Sequence, residues 1–160
     1  MIDAEVGSAT ANSFVTLAEA EAYFAARLDA APWTAADGMT KERALLMAAR
    51  MLERLRWHGA RAAATQALGW PRAGAPGAEG GAVPAVIKAA QCEEALAWLR
   101  PELVHRRRLR AAGVTTAEVD GAREAYARPA PDELLSSEAR ALLAGWVRRG
   151  GALVTDGEGA

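Results

Sequence analysis

Three features of this chain predict a mainly α-helical fold, a small bundle of about four to five helices with a short β-hairpin and an extended C-terminal tail. Alanine is abundant, the apolar fraction is 51% and aromatics are only 6%. That mix favours helix, because alanine is the best intrinsic helix former and adds little to strands. Apolar residues recur at helical spacing in several windows, and cap or stop residues bracket those windows. With 160 residues the chain is long enough for one core but not for two large ones. Residues 1–149 read as a single helical domain holding a loop at 60–82 and a hairpin at 113–127, with a tail at 150–160.

The first helix is expected over Leu17–Leu28. Thr16 stands before it with Glu19 three residues on, a capping-box spacing that satisfies two orphan backbone N–H groups. Val15 and Ala20 occupy the positions of a weak hydrophobic staple. Leu17, Ala20, Tyr23 or Phe24, and Arg27 fall along one stripe. Pro32 and Gly38 mark 29–40 as a loop, after which Thr40 caps a second helix over Lys41–Trp57. Ala44, Leu45, Ala48, Met51, Leu52 and Leu55 give that helix a buried face, with Arg43, Arg50, Glu53, Arg54 and Arg56 mostly off it. His58-Gly59 ends it.

The stretch from Ala60 is rich in Gly, Pro and Ala and shows no periodicity, so it reads as a loop. Pro84 suits the first residue of a third helix, reaching about Arg100, with Val83, Ile87, Ala90, Leu96 and Leu99 as core candidates. Pro101 breaks or kinks that helix, and a fourth segment restarts there through Arg110. Val114-Thr115-Thr116 favours strand, and Asp120-Gly121 is a two-residue hairpin turn. A helix starting at Thr116 is the competing reading. The last helix is expected over Glu133–Arg149, with Leu135, Ala139, Leu142, Leu143, Trp146 and Val147 on one side and Gly150-Gly151 as its stop.

Composition and spacing argue against several function classes. A net charge of -1 supplies no global field toward DNA or an anionic membrane. The single cysteine, Cys92, excludes an internal disulfide framework and a cysteine zinc cluster, and mid-helix it reads as a buried, inert thiol. His58 and His105 form no metal-spaced pair, and no phosphate-loop, dinucleotide or nucleophile-elbow motif occurs. No enzymatic activity, cofactor or metal is therefore expected. Glu93-Glu94 reads as a solvated helix face, since adjacent helical residues diverge by about 100°. No long apolar run or basic-then-apolar leader occurs, so the chain reads as unexported, soluble and without a membrane partner.

Two stretches carry binding potential. Arg106, Arg107, Arg108 and Arg110 are candidates for phosphate contact, though they spread around a helix and lack interleaved aromatics. A solvated or protein-facing cluster is the default reading for them. Trp70-Pro71-Arg72 offers either a tryptophan that covers the core or an anchor for a subunit interface built on Trp70 and Arg72.

Several segments, in order, carry a family resemblance: Asn12 to Arg27, the Thr40 helix, Arg61 to Arg72 ending Gln-Ala-Leu-Gly-Trp-Pro-Arg, and Val83 to Ala90 followed by Cys92-Glu93. The 113–126 hairpin and the leucine-rich last helix complete it. Together they resemble the phage head–tail adaptor (connector, or head-completion) proteins, catalogued in part as DnaT-like single-stranded-DNA-binding proteins. The resemblance implies a structural subunit of the virion neck of a tailed phage or gene transfer particle, assembled in the host cytoplasm. It implies a ring of self-copies, commonly a dodecamer, between the portal protein and the next neck or tail-completion protein, with transient contact to packaged DNA. Portal contact maps to Leu142, Trp146, Val147, Leu153 and Val154. The alternative it carries is single-stranded-DNA binding.

Overall fold

The computed structural model describes residues 1–112, 116–119, 122–125 and 135–148. Among them are six α-helices: α1 (Leu17–Ala25), α2 (Ala31–Ala35), α3 (Gly38–Leu52), α4 (Ala85–Trp98), α5 (Pro101–Ala111) and α6 (Ser137–Leu143). Two small antiparallel pairs accompany them, β1 (Ala60–Arg61) with β2 (Arg72–Ala73), and β3 (Thr116–Val119) with β4 (Ala122–Ala125). The fold is a mainly helical small bundle with a β-hairpin, as the composition predicts. β3 and β4 pair from Thr116↔Ala125 to Val119↔Ala122, so the helix alternative at Thr116 is set aside. The connecting residues 120–121 and the tail 150–160 lie outside the described residues.

α4 is the axis of the bundle. It packs against α3, α6, α5 and α1, and buried residues surround it on all sides, as befits a central helix. One apolar cluster, with Leu52, Trp57, Trp70, Ile87 and Leu143, lies on one flank. A second, with Val15, Phe24, Trp33, Leu45 and Leu96, lies on the other. Three buried polar residues tie α4 to its neighbours. Gln91 accepts from Phe14 N (2.8 Å) and donates to Ser13 Oγ (2.8 Å) and Leu45 O (2.9 Å). Glu93 accepts from the Tyr23 hydroxyl and the Arg27 guanidinium of the α1 segment. Glu94 accepts from Ser136 N at 2.8 Å, beside the start of α6.

The solvated Glu93-Glu94 face is therefore corrected: the two are 4% and 0% exposed. Their divergence around the helix is what lets one reach α1 and the other α5 and α6. Each carboxylate has a charged partner from elsewhere in the chain, Arg27 just past α1 for Glu93 and Arg107 on α5 for Glu94, which is the condition for burying it.

Several boundaries also move. The α1 capping box is present in full, but the helix stops at Ala25, where Arg27 turns away to pair with Asp29 and Glu93. The expected loop at 29–40 contains α2, with Pro32 in its first turn, where a missing N–H costs nothing. Trp33 justifies that short helix: it is 1% exposed, stacks 4.4 Å from Phe24 and donates to Glu21 at 3.0 Å. Asp37, not Thr40, caps α3, accepting from Thr40 N at 2.7 Å and so starting the helix nearly a turn earlier. α3 ends at Leu52 rather than Trp57, its last turn tightening through Arg54 N→Met51 O and Leu55 N→Leu52 O. The 60–82 stretch holds the β1–β2 pair and a short 3₁₀ turn at Glu79–Gly81. Pro84 is the N-cap of α4 rather than its first residue, and that helix ends at Trp98. α6 is capped by Ser136 and ends at Leu143, because the chain then turns so that Val147 can pair with Trp57.

Candidate nucleic-acid interface

The arginine run on α5 is split by its own helix. Pro101 starts α5 and the basic residues wind around it, none fully buried. Arg107 turns inward. Its Nη2 lies 2.8 Å from Glu94 Oε1, and its guanidinium carbon sits 4.4 Å from the centre of the Trp98 ring. The approach to Glu94 is coulombic more than an aligned hydrogen bond, since among the described residues Glu94 Oε1 meets no hydrogen-bond geometry. Burial raises the Glu94 carboxyl above its ordinary value, opposed by the Arg107 charge and by the Ser136 hydrogen bonds. Arg106 and Arg108 are exposed and Arg110 is half-buried. As a phosphate-binding row the run thus loses its middle residue to the Glu94 carboxylate.

A second arginine group lies where the end of α3 meets the β1–β2 pair and the chain beyond α6. Arg148 N donates to Arg56 O at 2.6 Å, and His58 N donates to Trp146 O at 3.2 Å. These bonds and the Trp57↔Val147 bridge bring residues 56–58 beside 146–148. Arg61 is paired in register with Arg72. The Arg72 side chain is spent on the fold: it donates to His58 O (2.6 Å), Gly59 O (2.6 Å) and Gly69 O (3.0 Å). Its guanidinium pKa is lowered by burial first, then by the nearby charge of Arg61, with Arg148 adding to the effect. Arg61 and Arg148, whose charges reach it, are exposed, and so are Arg54 and Arg56 just past the end of α3. Glu53 is the acid among them, 3.7 Å from Arg61, accepting from Gly69 N at 2.7 Å. Burial raises its carboxyl above the ordinary value, against that hydrogen bond and the charges of Arg61 and Arg72.

Sequence reading placed Arg54 and Arg56 on a polar helix face and missed this group. Arg61 and Arg148 are far apart in the chain, and only the tertiary pairing of residues 56–58 with 146–148 joins them.

Trp70 is 1% exposed and packs edge-on against Trp57 (5.9 Å) and Trp146 (5.6 Å), so in the subunit it covers the core. Arg72 beside it holds three backbone carbonyls, as above. Leu142, Trp146 and Val147 are half-buried at the end of the described chain, while Leu153 and Val154 lie outside the described residues. Next to Val147 a groove of about 350 Å³ opens between the end of α3 and α6. Leu55, Leu135 and Leu143 floor it, and the exposed Arg140 and Arg148 stand at its rim.

Cys92 is 2% exposed, and burial pushes its thiol up to about 12. Among the described residues no three His, Cys, Asp or Glu side chains gather as a metal site, and no helix is long and apolar enough to cross a membrane.

Fold and surface together define a small, mainly helical protein with exposed arginines on α5 and beside the β1–β2 pair. Residues 1–156 match the family described as "Putative DnaT-like ssDNA binding protein", and the chain belongs to that family. No curated protein and no solved structure gives a significant match to it.

Proposed function

We propose that this protein binds single-stranded DNA without sequence preference and performs no chemistry on it. The observation that carries this reading is the approach of the exposed Arg61 and Arg148 to Arg72, with Arg54 and Arg56 exposed on the stretch just past α3, in a chain of that family. Exposed guanidiniums suit a phosphate backbone, and contacts to phosphate read no base. Trp146 is the half-exposed aromatic beside Arg148, but its ring packs on Trp70, so stacking adds little. Affinity is then weak and strongly salt-dependent, in keeping with a net charge of -1.

A fluorescence-anisotropy titration with a labelled single-stranded oligonucleotide, repeated over a salt series, tests this. The slope of log affinity against log salt falls by about 0.7 for each phosphate that the protein ceases to neutralise, so Arg54→Ala/Arg56→Ala/Arg61→Ala lowers it by roughly 2. Binding that ignores this triple change but is abolished in Arg106→Ala/Arg108→Ala moves the site to α5. Absence of salt-dependent binding in the unsubstituted protein sinks the reading.

A second reading is favoured by the order of motifs along the chain and by the half-exposed residues at its described end. In it the protein is a head–tail adaptor of a phage or gene transfer particle, a ring in the virion neck, commonly a dodecamer, between portal and tail-completion proteins. Leu142, Trp146 and Val147, with Leu153 and Val154 of the tail, would meet the portal. Co-sedimentation with portal-bearing capsids tests it, and a protein that never joins such capsids is not an adaptor.

A further inference from the structure

We propose that one nucleotide of the bound single strand sits base-inward in the groove beside the last turns of α3, with Arg50 and Arg54 on its phosphates. The inference rests on the DNA reading above and adds a seat for a base to it. The groove measures about 530 Å³ and has an apolar floor of Leu46 and Ala49 from α3 and Leu68 from the loop that follows. Leu46 is half-buried and packs in neither apolar cluster, since it lies about 100° around α3 from Leu45, which does. Arg50 and Arg54 line the same groove and are exposed. Among the described residues no ion pair or side-chain hydrogen bond holds either guanidinium.

An apolar floor beside two unspent guanidiniums fits a ligand with a flat apolar face and an anionic edge. A nucleotide is such a ligand, and continuity with the arginine surface selects it. Glu53 also lines the groove, and its carboxylate lies 3.7 Å from Arg61, whose charge reaches Arg72. A strand held at Arg61 therefore meets this groove next. Glu53 brings a negative charge to the site, but Arg61 and the Gly69 N–H at 2.7 Å answer it, which leaves Arg50 and Arg54 to the strand. Asn12 lines the groove too, with its amide occupied by Asp3 N (2.9 Å) and Met1 O (3.3 Å). The floor thus meets the face that every base has and reads no edge, in keeping with binding that ignores sequence.

Two oligonucleotides of equal length and charge test this, oligothymidine and a strand of abasic sites, each titrated by fluorescence anisotropy over a salt series. The parent should bind oligothymidine roughly fivefold more tightly than the abasic strand, the value of taking about 40 Å² of apolar surface from water. Leu46→Gln should abolish that preference and leave the salt slope unchanged. Leu46→Trp should enlarge it, with quenching of the new tryptophan by oligothymidine and not by the abasic strand. Arg50→Ala should lower the salt slope by about 0.7 on both strands. Equal affinity of the parent for the two strands, with a full salt slope, overturns the base seat and leaves the DNA reading standing. A preference for oligothymidine that both Leu46 substitutions leave unchanged overturns it as well, because the base then sits elsewhere. Absence of salt-dependent binding to either strand removes the DNA reading and this seat together.

Discussion

Arg107 reaches from α5 to within 2.8 Å of Glu94 on α4, and its guanidinium carbon sits 4.4 Å from the centre of the Trp98 ring. An arginine in the middle of a basic run is thereby turned inward, its side chain only 11% exposed. Glu94 also holds Ser136 N, so one carboxylate couples α5 and the N-cap of α6 to the central helix. Charge run and charge function are separable here: the residue most enclosed by its neighbours is the least available to a partner.

Arg107→Ala is expected to destabilise the fold by roughly 3–5 kcal/mol, because it strands the buried Glu94 carboxylate and takes the guanidinium off Trp98. Arg108→Ala, at an exposed position, should stay within about 0.5 kcal/mol of the parent. Urea denaturation of both variants decides it. Equal stabilities would mean that the ion pair is not holding α5 in place.

The buried thiol gives a pH signature. Cys92 is raised from 9.0 to about 12, by burial first and then by the Glu93 charge, and Tyr23 is raised from 10.0 to about 12, again chiefly by burial and by Glu93. In the unfolded chain both groups lose protons at their ordinary values, while the native state keeps them. Stability from these groups is therefore complete below pH 9 and is lost as pH rises toward 12. The melting temperature should fall steeply over that window, and less steeply in Cys92→Ala. At the alkaline edge a disulfide reagent should label Cys92 only at the rate of unfolding. Rapid labelling of the native protein would contradict the burial.

Gly59 makes the turn that leads the chain into β1, against the backbone at the end of β2. Its φ is +70°, and a Cβ there would lie 2.3 Å from Ala73 O and 2.7 Å from Ala75 N. Gly59→Ala is therefore strained in conformation, at roughly 1–3 kcal/mol, and it also collides with backbone that cannot swing aside. The arginine surface depends on this turn, since Arg61 and Arg72 face each other across the pair. A lowered unfolding free energy together with a reduced salt slope for oligonucleotide binding is the expected result. A variant with the parent's stability would show that the turn can relax.

Much of the architecture was legible because it is local. The Thr16–Glu19 capping box, the apolar face of α3 and the strand-favouring residues from Thr116 depend on residues a few positions apart, and an element stands at each of these places, though several ends move. α2 was hidden because Pro32 and Gly38 resemble loop punctuation, while the force that makes the helix is the burial of Trp33 in a distant cluster. Glu93 and Glu94 were misread for a similar reason: their partners Arg27 and Arg107 come from the turn after α1 and from α5, and no spacing along the chain announces them. The arginine surface was illegible altogether, since it exists only where residues 56–58 meet 146–148.

Gln91 is the most tightly held polar side chain of the central helix, and it fixes the N-terminal arm to the bundle. It is 0% exposed, accepts from Phe14 N, and donates to both Ser13 Oγ and Leu45 O. Gln91→Leu keeps the volume but orphans Phe14 N–H and one lone pair on Leu45 O, each at roughly 1–3 kcal/mol. Gln91→Glu still accepts from Phe14 but sets a carboxylate oxygen against Leu45 O, acceptor facing acceptor, in a site without a countercharge among these contacts. Its penalty should ease on acidification, because a protonated carboxyl can donate to Leu45 O while its other oxygen accepts from Phe14. The sign follows from burial: the introduced carboxyl is raised in the folded state, so stability is recovered as pH falls through that raised value. Denaturation at neutral and mildly acidic pH, with amide exchange at Phe14, checks both variants. Faster exchange at Phe14 in Gln91→Leu, and an acid-side gain seen only in Gln91→Glu, are expected; unchanged exchange would show that the arm is held by Phe14 and Val15 packing alone.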